Sequence, residues 1–336
     1  MNSDSNQILD QTIFALASGV GKSGIAVFRL SGPSASDALR ALSQKQLPDP
    51  RRATRVQLKH PKTDDLLDDG LAIYFPGPAS FTGEDVVELH VHGGRAVIAG
   101  ITEALAGLKD VRLAEAGEFT RRAFDHGKFD LTAAEGLADL INAETAAQRR
   151  QAHRQLHGDL GLIYDDWRDR LLKAIALFEA EIDFSDEDLP PGLHAEVAQQ
   201  IAEITEEISE HLDDKGQGQI LREGLYITII GPPNAGKSSL LNRLSRRDVA
   251  IVSEHVGTTR DVIEVHLELD GYPVILADTA GLREAADDIE SEGVRRAQER
   301  AHQADLKLAV FDGATWPEKD SQTLDLIDED TVIVLN

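Results

Sequence analysis

The chain has 336 residues, 41 % of them hydrophobic, and its 34 Lys and Arg against 59 Asp and Glu leave a net charge of −25. That supports packed cores in about two or three domains and excludes wholesale disorder; the acidity argues against a general nucleic-acid coat but leaves room for RNA at a local basic patch. Without cysteine there are no disulfides or thiolate metal sites, no apolar run approaches the ~20 residues that cross a bilayer, and MNSDSNQILDQTIFALASG lacks the basic region of a secretory signal, so a reducing cytoplasm is the expected location.

In chain order, the pattern predicts a strand at 24–30, ended by Ser31-Gly32-Pro33, and then a helix capped by Ser34 and running to Leu42. Further strands are expected at 71–75, stopped by Pro76-Gly77-Pro78, and at 85–91, where apolar and polar residues alternate up to Gly93-Gly94. A helix is expected over 96–108. This portion reads as an α+β domain, 1–118. Residues 119–218 read as a helical domain. Positions 133–183 contain no proline, with Leu137, Leu140 and Ile141 on one face and Leu171, Leu172, Ile175 and Phe178 on another. Another helix spans about 194–213, and 213–218 reads as a linker. From 219 to 336 strands (226–230, 263–269, 273–277, 306–311, 331–335) alternate with helices, which implies a mostly parallel sheet covered on both faces. The fold class is therefore α/β multidomain.

The 226–230 strand runs into GPPNAGKSS, and Gly231-x-x-x-x-Gly236-Lys237-Ser238 satisfies the whole P-loop pattern. Such a loop wraps a phosphate so closely that glycine is needed where a Cβ collides, and amides at the following helix start point at the anion. Lys237 is expected on the β- and γ-phosphates and the Ser238 hydroxyl on Mg²⁺. Asp278-Thr279-Ala280-Gly281 ends a strand as Asp-x-x-Gly. The carboxylate there can hold Mg²⁺ through water, and the Gly281 N–H can sense the γ-phosphate. A threonine of Gly257-Thr258-Thr259-Arg260-Asp261 can close on Mg²⁺ only while the third phosphate is present. The last strand followed by Asn336 stands where the Asn-Lys-x-Asp guanine motif should begin, so the chain is expected to be a fragment.

GPPNAGKSS, GTTRD and DTAGLRE together resemble GTPases of the Era and Der type. FRLSG (28–32), FPGPASFTGEDVVELHVHGG (75–94) and AGEFTRRAFDHGKFDLTAAEGLADLI (116–141) more specifically resemble the MnmE (TrmE) family of tRNA-modification GTPases, over nearly the whole chain. The resemblance implies an N-terminal domain that dimerises and binds 5-formyl- or methylene-tetrahydrofolate, then a helical domain carrying a Ras-like G domain. It implies a homodimer joined to the FAD-containing MnmG in a heterotetramer, acting on the C5 position of the tRNA wobble uridine, with K⁺-dependent GTP hydrolysis. By motif, GTP falls to Asn234, Ala235, Gly236, Lys237, Ser238, Ser239, Ser253, Glu254, His255, Val256, Gly257, Thr258, Thr259, Asp278, Thr279, Ala280, Gly281 and Asn336. Mg²⁺ falls to Ser238 and Thr259, and K⁺ to Asn234, Ser253, His255 and Thr258. Glu290 is implied as the catalytic, water-orienting acid. The folate falls to Arg29, Glu88 and Lys128; a carboxylate can accept from pterin amino groups, and bases suit a glutamyl tail. Two departures stand out: the family's returning C-terminal helices and its terminal Cys motif are absent. An uncovered apolar face on 133–183 is the expected consequence.

Other features read more blandly. Alternation places His90 and His92 on one strand face, without an evident third metal ligand. Asp64-Asp65 and Asp68-Asp69-Gly70 read as an acidic surface turn, and Ser185 to Asp188 as a solvated hinge. Arg121-Arg122 could touch tRNA or folate, or simply sit near a helix start.

Overall fold

The computed structural model describes residues 11–19, 21–183, 193–213, 216–232, 234–245, 264–278, 302–316 and 320–336. It falls into two compact units, residues 1–134 and 135–336.

The first unit is built on β1 (Thr12–Leu16), β2 (Ser23–Ser31), β3 (Thr54–Lys59), β4 (Leu66–Phe75), β5 (Val86–Gly93) and β6 (Val111–Leu113). They form one sheet in the order β3-β4-β5-β2-β1-β6. All pairings are antiparallel except β1 with β6. Strand alternation sorts the side chains. Ala26, Phe28 and Leu30 of β2 and Val87, Leu89 and Val91 of β5 enter the core, which leaves Arg29 and Glu88 on the opposite face. Helix α1 (Ala35–Ser43) buries Ala35, Ala38, Leu39 and Leu42, one stripe at helical spacing. Helix α2 (Arg95–Ala106) adds Ile101 and Leu105 to the same core. Helix α3 (Glu118–Asp125) follows.

Here the expectations from sequence need correcting. They omitted β1, β3, β6 and the first half of β4. Asp68 and Asp69 lie inside β4, not in a surface turn. Each faces a donor on a neighbouring strand: Arg55 of β3 bonds Asp69 at 3.2 Å, and the His92 backbone N–H of β5 bonds Asp68 at 2.7 Å.

Helix α4 (Leu131–Asn142) spans the boundary between the units, and α5 (Ala146–Leu156), α6 (Asp159–Asp183), α7 (Leu193–Leu212) and α8 (Gln217–Glu223) continue the second. Helices α6 and α7 are tied by Trp167 and Arg170, which donate to Glu207 at 2.9 and 2.8 Å. Leu172, Ile175, Phe178 and Ile182 of α6 remain half-exposed or more. The linker expected at 213–218 is shorter at its far end, because Gly216 in the left-handed region starts α8.

Strands β7 (Leu225–Ile230), β8 (Glu264–Leu269), β9 (Tyr272–Asp278), β10 (Leu306–Phe311) and β11 (Thr331–Leu335) form the second sheet, in the order β11-β10-β7-β9-β8. Its pairings are parallel except the β8–β9 hairpin. Helix α9 (Lys237–Ser245) lays Leu241 over one face, against Ile227, Ile229, Leu276 and Val310. On the other face Ile230, Ala309 and Phe311 pack with Leu326 and Ile327, just after α10 (Ser321–Leu324). A parallel sheet buried on both faces needs near-continuous apolar strands, which Ile227–Ile230 and Ala309–Phe311 supply. Among the described residues no helix is long and apolar enough to cross a membrane.

Candidate functional site

Strand β7 lies in the centre of the second sheet, and its carboxyl end turns directly into α9. The turn departs from ordinary backbone three times: Gly231 has φ 147°, Asn234 φ 63° and Gly236 φ 97°. A Cβ at Gly231 would stand 2.3 Å from the Val310 carbonyl oxygen of β10, so only glycine lets the loop leave the sheet there. Asn234 tolerates the left-handed region better than most side chains, and left-handed residues within a turn create the amide concavity that accepts anions. The Lys237 side chain is folded along the loop: Nζ donates to the Gly231 and Pro232 carbonyls, both at 2.8 Å. Asn336, at the end of β11, closes the far side by donating from Nδ2 to the Ala235 carbonyl at 3.1 Å.

Asn234, Ala235, Gly236, Lys237, Ser238, Ser239 and Asn336 thus gather at the carboxyl ends of parallel strands, where α/β sheets bind ligands. Ser238 and Ser239 are exposed on the first turn of α9. Asp278 is the last residue of β9 and registers with Ile229 of β7, which carries the Asp-x-x-Gly start to the same end of the sheet. Ser253, Glu254, His255, Val256, Gly257, Thr258, Thr259, Thr279, Ala280, Gly281 and Glu290 lie outside the described residues. A loop of this form, with its lysine and serines, fits a nucleotide phosphate and Mg²⁺.

On the open face of the first sheet, Arg29 and Glu88 sit directly opposite each other across β2 and β5. The Arg29 guanidinium donates twice to Glu88 Oε1, at 2.8 and 3.0 Å, and lies 5.5 Å from the Phe81 ring centre and 6.0 Å from that of Phe119. Phe81 in turn meets Phe129 at 6.0 Å. Lys128, next to Phe129, donates to the Pro78 carbonyl at 2.9 Å, so it joins the loop that carries Phe81 and not the Arg29–Glu88 pair itself. Sequence reasoning missed these phenylalanines; FPGPASF and KFD contain Phe81 and Phe129, but nothing local marks them as one cluster.

Beneath this loop, Arg122 is 1 % exposed and bonds Glu84 at 3.1 Å and Glu118 at 3.0 Å. Glu84 also accepts from Ser31 of β2 at 2.5 Å, and Arg112 of β6 grips Glu118 at 2.5 and 2.8 Å. Burial alone would push the Glu118 carboxyl up, but bonds from Arg112, the Glu115 N–H and Arg122 hold it down at about 2. Arg122 is therefore a buried tie between the 76–85 loop, α3 and β6, unavailable to tRNA; Arg121 is exposed. The two histidines of β5 take separate carboxylates, His90 with Glu88 at 3.4 Å and His92 with Asp68 at 2.8 Å.

Two family descriptions match: "GTP-binding protein TrmE N-terminus" over residues 12–128 and "MnmE helical domain" over residues 131–330. The tRNA modification GTPase MnmE of Paramagnetospirillum magneticum is 58 % identical over 98 % of this chain and 74 % of its own length. The protein of the same name from Parvibaculum lavamentivorans is 59 % identical over 89 % of this chain and 68 % of its own. The Danio rerio protein named 5-taurinomethyluridine-[tRNA] synthase subunit GTPB3, mitochondrial, is 54 % identical over 92 % of this chain and 62 % of its own. On the match over 131–330 and these identities, the chain belongs to the MnmE (TrmE) family.

Proposed function

We propose that this chain hydrolyses GTP in the service of tRNA modification, with K⁺ bound near Asn234 sharing the charge of the phosphates. The observation that supports it most is the loop between β7 and α9, with its left-handed Asn234 and Gly236, its Lys237, and Asn336 bonded to Ala235. Its carbonyl and side-chain oxygens suit a monovalent cation, and Ser238 suits Mg²⁺. In this reading Ser253, His255 and Thr258 complete the K⁺ site, Thr259 joins Ser238 on Mg²⁺, and Glu290 orients the attacking water. A bound cation then supplies the positive charge that an arginine finger supplies elsewhere.

The same proposal assigns the first unit to a folate one-carbon donor, held by Glu88 with Arg29 and Lys128, and to homodimer formation. An FAD-containing partner of the MnmG type then completes the modification of C5 of the wobble uridine, in the cytoplasm. The domain limits that go with it are 1–118, 119–218 and 219–336.

GTP turnover measured in KCl and in NaCl tests the core of the proposal. Faster turnover in KCl is expected, with Glu290→Gln abolishing it while nucleotide still binds. Equal rates in the two salts would remove the cation from the mechanism, and full turnover by Glu290→Gln would remove Glu290.

A further inference from the structure

Helix α5 contradicts the charge of the chain that contains it. Residues 145–158, TAAQRRQAHRQLHG, hold three arginines, two histidines and no carboxylate, in a protein with 59 acidic side chains. Arg150, His153, Arg154 and His157 fall at i, i+3, i+4 and i+7, one face of the helix, with Arg149 at its margin. All five are exposed. Among the described residues none of the three arginines has an ion pair. Two neighbouring carboxylates are engaged elsewhere, Glu144 with His266 of β8 at 3.0 Å and Asp139 with Arg222 at 2.9 Å, and Asp159 stands in the first turn of α6.

The helix is also held firmly from the other side. Thr145 and Gln148 form a reciprocal capping box at its start, which fixes the first turn. Ala152 is fully buried, and Gly136 of α4 lies so close to Leu156 that a Cβ there would stand 2.6 Å from the Leu156 nitrogen. The His157 Nδ1 bonds the His153 carbonyl at 2.7 Å, which fixes one ring. Basic residues in the last turn suit the helix dipole, but that accounts for His153 and Arg154 only and not for Arg149 and Arg150. An unpaired cationic stripe on a braced helix, in an acidic protein, is suited to a polyanion.

We infer that the exposed face of α5 binds the phosphate backbone of tRNA, through Arg149, Arg150 and Arg154. The inference rests on the tRNA reading above. The stripe from 150 to 157 covers about 10 Å of helix, enough to meet more than one phosphate of a strand. Such binding reads backbone and shape, not base sequence, which is how folded RNA helices are bound.

The test is a fluorescence-anisotropy titration of a labelled, unmodified tRNA transcript with the whole chain, between about 50 and 200 mM salt. Arg149→Gln/Arg150→Gln/Arg154→Gln is expected to bind at least tenfold more weakly at about 100 mM salt, with the slope of log-affinity against log-salt reduced by about one for each arginine–phosphate pair removed. The corresponding triple Lys variant is expected to keep affinity and slope, because lysine also pairs with phosphate. Arg150→Gln and Arg154→Gln singly are each expected to lower the slope by about one, which covers a triple variant that folds poorly by circular dichroism. Unchanged affinity and slope in folded Gln variants, with the original chain binding normally, overturns the surface and leaves the tRNA reading standing. No tRNA binding by the original chain overturns both. Normal tRNA binding by the triple Gln variant with an altered sedimentation coefficient also overturns the inference, and gives the stripe to an acidic protein surface such as a second copy.

Discussion

Asn336 holds the phosphate loop from 101 positions away: its side-chain amide donates to the Ala235 carbonyl at 3.1 Å. Its backbone is fixed as well, the N–H bonding Phe311 O and the carbonyl accepting from Gly313 N–H, both at 2.9 Å. The end of β11 and the loop after β7 therefore move as one piece. Removing the amide frees the loop without disturbing the strand. Asn336→Ala is expected to weaken binding of a fluorescent GDP analogue about two- to tenfold, the worth of one neutral hydrogen bond. Unaltered affinity would show that Asn336 does not shape the loop.

The two loop glycines are not equivalent. At Gly231 an added Cβ meets the Val310 backbone at 2.3 Å; at Gly236 it meets the Asn336 side-chain nitrogen at 2.1 Å. Backbone cannot retreat without parting β7 from β10, whereas a side-chain end can swing away. Gly231→Ala is therefore expected to lower the thermal midpoint of the second unit clearly more than Gly236→Ala, which retains mainly the 1–3 kcal/mol or so of left-handed strain. Adding Asn336→Ala to Gly236→Ala should recover little stability, because the left-handed strain at 236 remains once the side chain has moved aside. Equal midpoints for the two glycine variants would contradict this.

Much of this was legible in the sequence, and the exceptions have a common cause. The β7–loop–α9 junction is written in nine consecutive residues, and the strands flanking it are largely apolar because both faces of their sheet are covered. In the first unit β1, β3 and β6 are short, and two of them lie at the sheet edges, where fewer buried positions leave less pattern. The roles of Arg122 and Phe81 depend on residues brought from far along the chain: Glu84 is 38 positions from Arg122, and Arg29 approaches Phe81 only across the sheet. Local spacing cannot report such pairings. It left Arg122 between a contact with tRNA or folate and a place near a helix start, and the fold made it a buried ion-pair centre.

That centre predicts an acid limb in stability. The Glu118 carboxyl is lowered from its ordinary 4.5 to about 2 in the folded protein. A depressed carboxylate contributes stability that is complete above the unfolded value and lost as pH falls from about 4.5 towards 2. The loss reaches about 3 kcal/mol at most. Urea denaturation of the first unit at a series of pH values should show this fall, and Glu118→Gln should flatten it. Arg122→Met should be worse still, at roughly 3–5 kcal/mol, because it leaves the semi-buried Glu84 without its cation and Glu118 with Arg112 alone. A Glu118→Gln protein with an undiminished acid limb would place the titrating group elsewhere.

The open face of the same sheet offers a separable experiment. The Glu88 side chain is half-buried beside Arg29, and the glutamine of Glu88→Gln keeps an oxygen for the Arg29 guanidinium, so that variant should fold while losing the carboxylate charge. If the pterin amino groups bond that carboxylate, affinity for 5-formyl-tetrahydrofolate by calorimetry should fall about ten- to a hundredfold, the range for a hydrogen bond to a charged group. Phe81→Ala should cost less, about three- to tenfold, since it removes a ring contact and a platform for Arg29. Lys128→Ala should act mainly on folates with longer glutamyl tails, because that charge lies beside the 76–85 loop and away from Glu88. Folate binding that ignores Glu88→Gln and Phe81→Ala alike would move the ligand off this face of the sheet.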